Sequence, residues 1–397
     1  MAEWKECTIG DICNSISETY SRHDDYVVLI NTSDVLEGKF LTHKSSKNED
    51  LKGQFKKTFT KDDILYSEIR PANKRYAFVD FDNTENYIAS TKLMVIRPNK
   101  TLVLPNFLYL LLTSKNLIDE MQHLAETRSG TFPQITFSGE LATFPINLPP
   151  LTTQKKISDI LSCIDAKIEL NNKINDNLEQ QAQTVFKEIF ADKIKNVSEI
   201  DGKPLGTLID IVDNRGKTPP SSNEKNEFPI LDVGALNSVG RIIDYKNCTK
   251  YVDEQTYSTF FRDGHPHEND ILLSTVGSLA QMKFFKGDKG CIAQNVVAFR
   301  TLSISPFYLY EYLKFIKNDL LSYDIGSVQP SIKVTHIIKH LIYIPKNEDL
   351  SKFDSCAKAI TEQIYNHVCE NERLIALRDA LLPKLMSGEI DVDSVQI

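Results

Sequence analysis

The chain has 397 residues, 41% of them hydrophobic and 25% charged, with a formal net charge of -8. That length is more than one ordinary core holds and sets an expectation of two or three domains. No apolar run is long enough to span a bilayer, the charged and polar residues after Met1 argue against a secretory signal, and seven cysteines without a C-x-x-C pair suit a reducing cytoplasm, not a disulfide scaffold.

The first 150 residues predict mixed strands and helices. A strand-like phrase, Thr8-Ile-Gly-Asp-Ile12, opens them; β-rich runs follow at 27–35, 63–67 and 87–97, then a helix begun by Pro105 and a last strand at 144–148. Residues 151–190 place Ile157, Leu161, Ile164, Ile168, Leu178 and Val185 at steps of three and four, the a/d seam of a helix packing along another helix. At 1.5 Å per residue such a helix runs roughly 58 Å, the length of a spacer.

After a polar linker at 192–204 the phrases return. Leu205-Gly-Thr-Leu-Ile209 stands for the opening strand, Asp270-Ile-Leu-Leu-Ser274 matches Asp63-Ile-Leu-Tyr-Ser67, Pro306 opens a helix as Pro105 does, and a strand is expected at 341–344. Adding 196 to the first long helix carries Ile157, Leu161, Ile164 and Ile168 onto Phe353, Ala357, Ile360 and Ile364, and Leu178, Val185 and Ile189 onto Leu374, Leu381 and Leu385. The centre of each seam is polar, with Asn171 and Asn175 in the first and His367 and Asn371 in the second. Polar seam positions cost stability but set register. With the helices antiparallel and their ends flush, Asn171 comes level with Asn371 and Asn175 with His367. The expected fold is α+β. Two globular domains, 1–150 and (with its linker) 192–348, are joined by two long antiparallel coiled-coil helices, 151–191 and 349–390, with a tail at 391–397, as a pseudo-twofold internal repeat.

Catalytic patterns fail one by one. Gly216-Lys217-Thr218 lacks the earlier glycine of a phosphate-binding loop and runs into Pro219-Pro220. Asn147-Leu-Pro-Pro150 lacks the aromatic of an amino-methyltransferase motif. Asp25, Glu37 and Lys39 have the spacing of a metal-dependent nuclease, but such spacings arise readily at this charge density. His265 and His267 flank Pro266 and read as a surface turn, so no metal site is expected. A stronger signal is basic residues interleaved with aromatics. Residues 39–75 hold ten Lys or Arg against five acids. The candidates for contacting nucleic-acid phosphates are Lys44, Lys52, Lys56, Lys57, Arg70, Lys74 and Arg75, with Arg215, Lys217, Arg241, Lys283, Lys286 and Lys289 in the second half.

Two phrases, Leu148-Pro-Pro-Leu-Thr-Thr-Gln-Lys-Lys-Ile157 running on to Ile168, and Leu377-Arg-Asp-Ala-Leu-Leu-Pro-Lys-Leu-Met-Ser-Gly-Glu-Ile390, resemble the conserved spacer regions of the specificity subunits of type I restriction-modification systems. The resemblance covers the whole chain. It implies a subunit with no catalytic residues whose two target-recognition domains each read one half of a split, asymmetric double-stranded DNA site. It also implies two methyltransferase subunits and restriction subunits as partners, no membrane, and S-adenosylmethionine, ATP and magnesium held in those partners and not in this chain. The outer spacer faces, with Lys155, Lys156, Lys167, Glu179 and Glu188, are candidate seats for the methyltransferases. One departure is the second helix opening, Pro345-Lys-Asn-Glu-Asp-Leu350, which lacks the Pro-Pro-Leu-x-x-Gln phrase. The negative net charge favours, more weakly, a two-headed coiled-coil scaffold that binds only proteins.

Overall fold

The computed structural model describes residues 4–22, 24–48, 53–127, 133–195, 197–198, 201–287, 289–292, 294–326 and 329–395. Two compact units form, one from Met1–Lys167 with Leu374–Ile397 and one from Ile168–Arg373.

In the first unit a four-stranded antiparallel sheet has the order Cys13–Ile16, Leu93–Pro98, Ile64–Ser67, Tyr76–Phe78. A second sheet pairs Tyr26–Ile30 in parallel with Tyr87–Ser90, and Lys5–Thr8 pairs with Pro145–Leu148. The second unit repeats the plan. Its sheet runs Ile209–Val212, Val296–Thr301, Ile271–Ser274, Met282–Phe284; its parallel pair is Ile230–Leu231 with Cys291–Ile292, and Gly202–Pro204 pairs with Leu341–Tyr343. The mostly apolar strands are those sealed on both faces, as in Ile64–Ser67 and Ile271–Ser274, each wholly buried.

The recurring Asp-Ile-Leu phrase has a physical basis. Arg97 grips the buried Asp63 through Nε at 2.8 Å and Nη2 at 2.7 Å, and Arg300 grips the buried Asp270 with Nη2 at 2.8 Å. Each carboxylate also accepts a backbone N–H three residues upstream, from Thr60 and His267 respectively. These bonds compensate a buried charge that would otherwise be costly.

Two expected opening strands are corrected. Ile9–Ile12 is a helical turn, closed by the Asp11 carboxylate accepting from Thr8 N and Oγ1 at 2.8 Å each, and Leu205–Thr207 is a 3₁₀ turn. A Cβ at Gly10 would lie 3.0 Å from Ala142 Cβ, and one at Gly206 3.0 Å from Ile338 Cβ. The glycine of each phrase thus serves a close approach.

The long helices run Leu151–Lys195 and Asn347–Ser387. Ile157, Leu161 and Ile164 are buried in the first unit, where Arg378 Nη1 meets Asp165 at 2.8 Å. In the second unit Asn171 Nδ2 donates to Asn371 Oδ1 at 2.9 Å, His367 Nδ1 lies 2.7 Å from Asn175 Oδ1, and Lys193 meets Asp349 at 2.8 Å. These pairs run in opposite chain directions, so the helices are antiparallel in the second unit, and the polar layers meet as their seam positions require. Ile360 and Ile364 are buried there, with Ile168 half-buried.

Beyond the polar layer the expected seam drifts. Leu178, Val185, Leu374 and Leu381 are only half-buried, while Ala182, Phe186, Phe190 and Ile194 are sealed. A straight helix of 3.6 residues per turn falls out of a 3.5-residue seam. Here the sealed face turns partly toward the globular domain. The Phe186 and Phe190 rings lie 5.6 and 5.1 Å from Tyr308 and 5.5 and 5.6 Å from Phe353.

Asn171 Oδ1 is buried without a partner. Replacing Asn171 alone by Leu removes the donor to Asn371 and should lower stability by about 1–3 kcal/mol. Replacing Asn171 and Asn371 together should raise the melting temperature, read by thermal denaturation, because an imperfect polar layer gives way to a dry one.

Candidate nucleic-acid interface

The thirteen basic candidates separate by environment. Lys44, Lys56, Arg70 and Lys217 are exposed and, among the described residues, make no ion pair. Arg70 and Lys74 flank the turn Pro71–Asn73 with φ of 47° and 52°. Left-handed backbone at two non-glycine residues costs on the order of 1 kcal/mol each, and such strain gathers at functional loops. Lys74 meets Glu37 at 3.0 Å with both side chains half-exposed, so Glu37 of the nuclease-like trio is already engaged. Lys289 pairs with Glu227 and stands 4.8 Å above the Phe228 ring. Lys52 lies outside the described residues.

Others are structural. Arg75 Nη1 donates to Ser33 O and Val35 O at 3.2 Å, and Lys57 Nζ to Thr91 O and Leu93 O at 3.0 and 2.8 Å, with burial lowering its pKa. Arg215 is folded back on Asp213 through two bonds of 2.7 and 2.5 Å.

Arg241, Lys283 and Lys286 correct the expectation outright, because all three are buried. The Arg241 guanidinium is held by Glu179 (2.8 and 3.1 Å), Glu311 (2.8 Å) and the Thr361 hydroxyl (3.0 Å). Lys286 Nζ sits between Glu268 at 2.8 Å and Glu362 at 2.6 Å. Lys283 Nζ donates to the Ser238 and Gly240 carbonyls. A charge so engaged cannot also neutralise a phosphate. Glu179, expected on an outer spacer face, is buried with Arg241. Burial works to raise its pKa, but the Arg241 and Lys314 cations beside it outweigh that and hold it low.

The structure also assembles residues that no spacing in the sequence links. Phe40, His43, Phe81 and Tyr87 pack with ring centroids 5.1–5.9 Å apart, and His43 Nδ1 lies 2.9 Å from the Tyr87 hydroxyl beside exposed Lys44. In the second unit Tyr257 and His265 stack at 3.7 Å, next to Phe228 and Phe261. Each cluster adjoins its unit's parallel strand pair. His265, expected on a surface turn, is instead half-buried against its aromatic neighbours, and among the described residues no group of three or more His, Cys, Asp or Glu is placed to hold a metal. No described helix is long and apolar enough to cross a membrane.

The helix opening explains the Pro-Pro-Leu-x-x-Gln phrase. Gln154, fully buried, accepts from Leu104 N at 2.8 Å and donates to Leu102 O and Pro149 O at 3.0 and 2.8 Å, stapling the spacer to the start of the Pro105–Leu112 helix. The second copy replaces it with Ser305, which caps Pro306–Phe315 and donates to Asp354 of the second spacer. Different side chains therefore make the same join.

The chain matches the family described as type I restriction modification DNA specificity domain twice, at residues 1–180 and 198–369. It is 34% identical to the type I restriction enzyme HindI specificity subunit of Haemophilus influenzae, over 98% of this chain and 100% of that protein. It is 26% identical to the MjaIX specificity subunit of Methanocaldococcus jannaschii, over 74% and 71%. The solved S subunit of the M. genitalium type I system shares the fold, with a TM-score of 0.54 and 16% identity over 97% and 96% of the two chains. The chain belongs to the DNA specificity family of type I restriction-modification systems, whose members are non-catalytic.

Burial pushes the Lys283 ammonium down to about 8. The unfolded chain keeps this proton to about 10.5, so between those values the unfolded state binds more protons and stability rises with pH. Relative to Lys283→Met, the native chain should gain about 3 kcal/mol in denaturant unfolding as pH rises across that window. Parallel pH profiles of the two proteins would contradict the burial of a charged amine.

Proposed function

We propose that this chain reads a two-part, asymmetric double-stranded DNA site and confers that choice on a type I restriction-modification enzyme. In this reading residues 1–150 and 192–348 hold the two recognition domains, and each takes one half of the target across an unread gap. The observation that supports it best is the repeat itself. The sheets share one strand order, while their surfaces carry different basic residues, Lys44, Lys56 and Arg70 in one and Lys217 in the other. Like scaffolds with unlike surfaces suit two unlike half-sites.

Lysine and arginine on phosphates would position the duplex, and side chains projecting from the same loops would read base edges. Two methyltransferase subunits would seat on the spacer faces bearing Lys155, Lys156, Lys167 and Glu188, and restriction subunits would complete the enzyme. S-adenosylmethionine, ATP and magnesium belong to those partners, and the cytoplasm is the place of action.

The test is DNA binding by the complex of this chain with its methyltransferase subunits, measured from low to moderate salt. Lys56→Ala/Arg70→Ala should weaken binding to target and non-target DNA alike and reduce the log–log salt slope by about 1 for each phosphate left without its cation. Adding Lys217→Ala should reduce it further. An unchanged affinity and slope in the triple variant would remove these loops from the interface.

A further inference from the structure

We propose that the second recognition domain is locked onto its spacer helices by a buried ionic clamp centred on Arg241, that the first domain is seated without one, and that Arg241 is a positioning residue for the second half of the target. The consequence for the target rests on the DNA-reading function proposed above; the clamp itself does not.

The two seats can be compared atom by atom. Phe78 N donates to Gly38 O at 3.2 Å, and Phe284 N donates to Arg241 O at 2.6 Å, so Gly38 and Arg241 occupy equivalent backbone positions. The shared proline of the following helix pairs Leu110 with Glu311 and Thr113 with Lys314, and the 196-residue shift of the spacers pairs Ile375 with Glu179. All four members of the ionic cluster thus have uncharged counterparts. The exchange is concerted, as it must be, since any one of these charges buried alone would be strongly destabilising.

The geometry of the clamp ties a domain to both helices. From a loop of the second domain, Arg241 reaches Glu179 on the first spacer and Thr361 on the second, while Glu311 and Lys314 close the ring from the domain's own helix; Lys314 meets Glu179 at 3.2 Å. Its fork fixes direction as well as distance, which a lone apolar contact does not. Lys286 adds a second tie, to Glu362 of the second spacer, where its counterpart in the first domain is the exposed Asp80.

In the first unit the corresponding place is a cavity of about 790 Å³, lined by Lys74, Tyr76, Tyr109, Asp165, Arg378 and Leu382 among others. A side chain in place of the missing arginine would be strained there, since a Cβ on Gly38 would lie 2.2 Å from the Tyr109 hydroxyl, and its φ is +93°. The arginine that does border the cavity, Arg378, spans to Asp165. It joins one spacer to the other, not the domain to either.

Spin-label distances in the full-length chain test the clamp without DNA. Cys163 and Cys356 are exposed thiols on the spacers, one in each unit. Each is paired with a cysteine placed on its own unit's domain, at Glu120 or Asn318, in a background with Cys7, Cys369 and the unused spacer cysteine changed to Ser. The distribution should be narrow in the second unit and broad in the first. Copying the first seat into the second (Arg241→Gly, Glu179→Ile, Glu311→Leu, Lys314→Thr) should broaden the second to match. Should that variant not fold, Glu179→Gln, which keeps the side-chain volume, should broaden it part-way. Equal widths in the two native units, or no broadening in the variants, overturn the clamp.

The functional arm uses the chain with its methyltransferase subunits on duplexes whose half-sites are separated by the native gap or by one base pair more or fewer. Loosening the clamp should cut discrimination between these gaps about tenfold while leaving each half-site sequence unchanged. Broadened distances with intact gap discrimination overturn the positioning role. If the native complex methylates no two-part site at all, the DNA-reading function fails and the distances alone decide the clamp.

Discussion

The polar layer inside the helix pair is the constraint on which the second unit's architecture depends. A purely apolar seam lets long antiparallel helices slide by a heptad at little cost, because one leucine layer resembles the next. Asn171 against Asn371 and Asn175 against His367 remove that freedom, since a shift by a heptad breaks both pairs and sets these polar side chains against apolar layers. Everything hung on the helices inherits that register: the Phe186 and Phe190 rings meet Tyr308, and Glu179 arrives where Arg241 can reach it.

A chain with more acids than bases can still suit DNA because many of its charges are neutralised internally. Asp63 with Arg97 and Asp270 with Arg300 rivet each sheet, and Glu179, Glu311, Glu268 and Glu362 absorb three cations of the second unit. Among the candidates, Lys44, Lys56, Arg70 and Lys217 remain exposed to solvent and, among the described residues, without an ion pair. The net charge of -8 therefore says little about the local field that a phosphate would meet.

The fold is legible in the sequence where a periodic physical demand repeats. Heptad spacing, the 196-residue shift, the polar seam positions and the prolines opening Pro105–Leu112 and Pro306–Phe315 each follow from local rules, and they suffice to read two α+β halves with long antiparallel helices. Legibility ends where the partner lies far away in the chain. Arg241 looks like any basic loop residue, and only the fold brings Glu179, 62 residues away, and Glu311, 70 residues away, onto its guanidinium. Lys283 and Lys286 mislead for the same reason: residue type signals charge but not burial. The phrase beginning at Thr8 looks extended because it is rich in β-branched residues (Thr8, Ile9 and Ile12), yet the Asp11 cap and the tight approach of Gly10 to Ala142 curl it into a turn. The aromatic group around His43 draws on positions 40 to 87, and no sequence spacing announces it.

The central claim, that this chain chooses a divided DNA site for an enzyme whose chemistry lies elsewhere, is tested most directly by genome-wide mapping of DNA methylation in cells with and without the gene. The account predicts loss of one asymmetric motif made of two short specific halves separated by a fixed unread gap, with all other methylation intact. An unchanged methylation pattern, or the loss of a single uninterrupted motif, would contradict it.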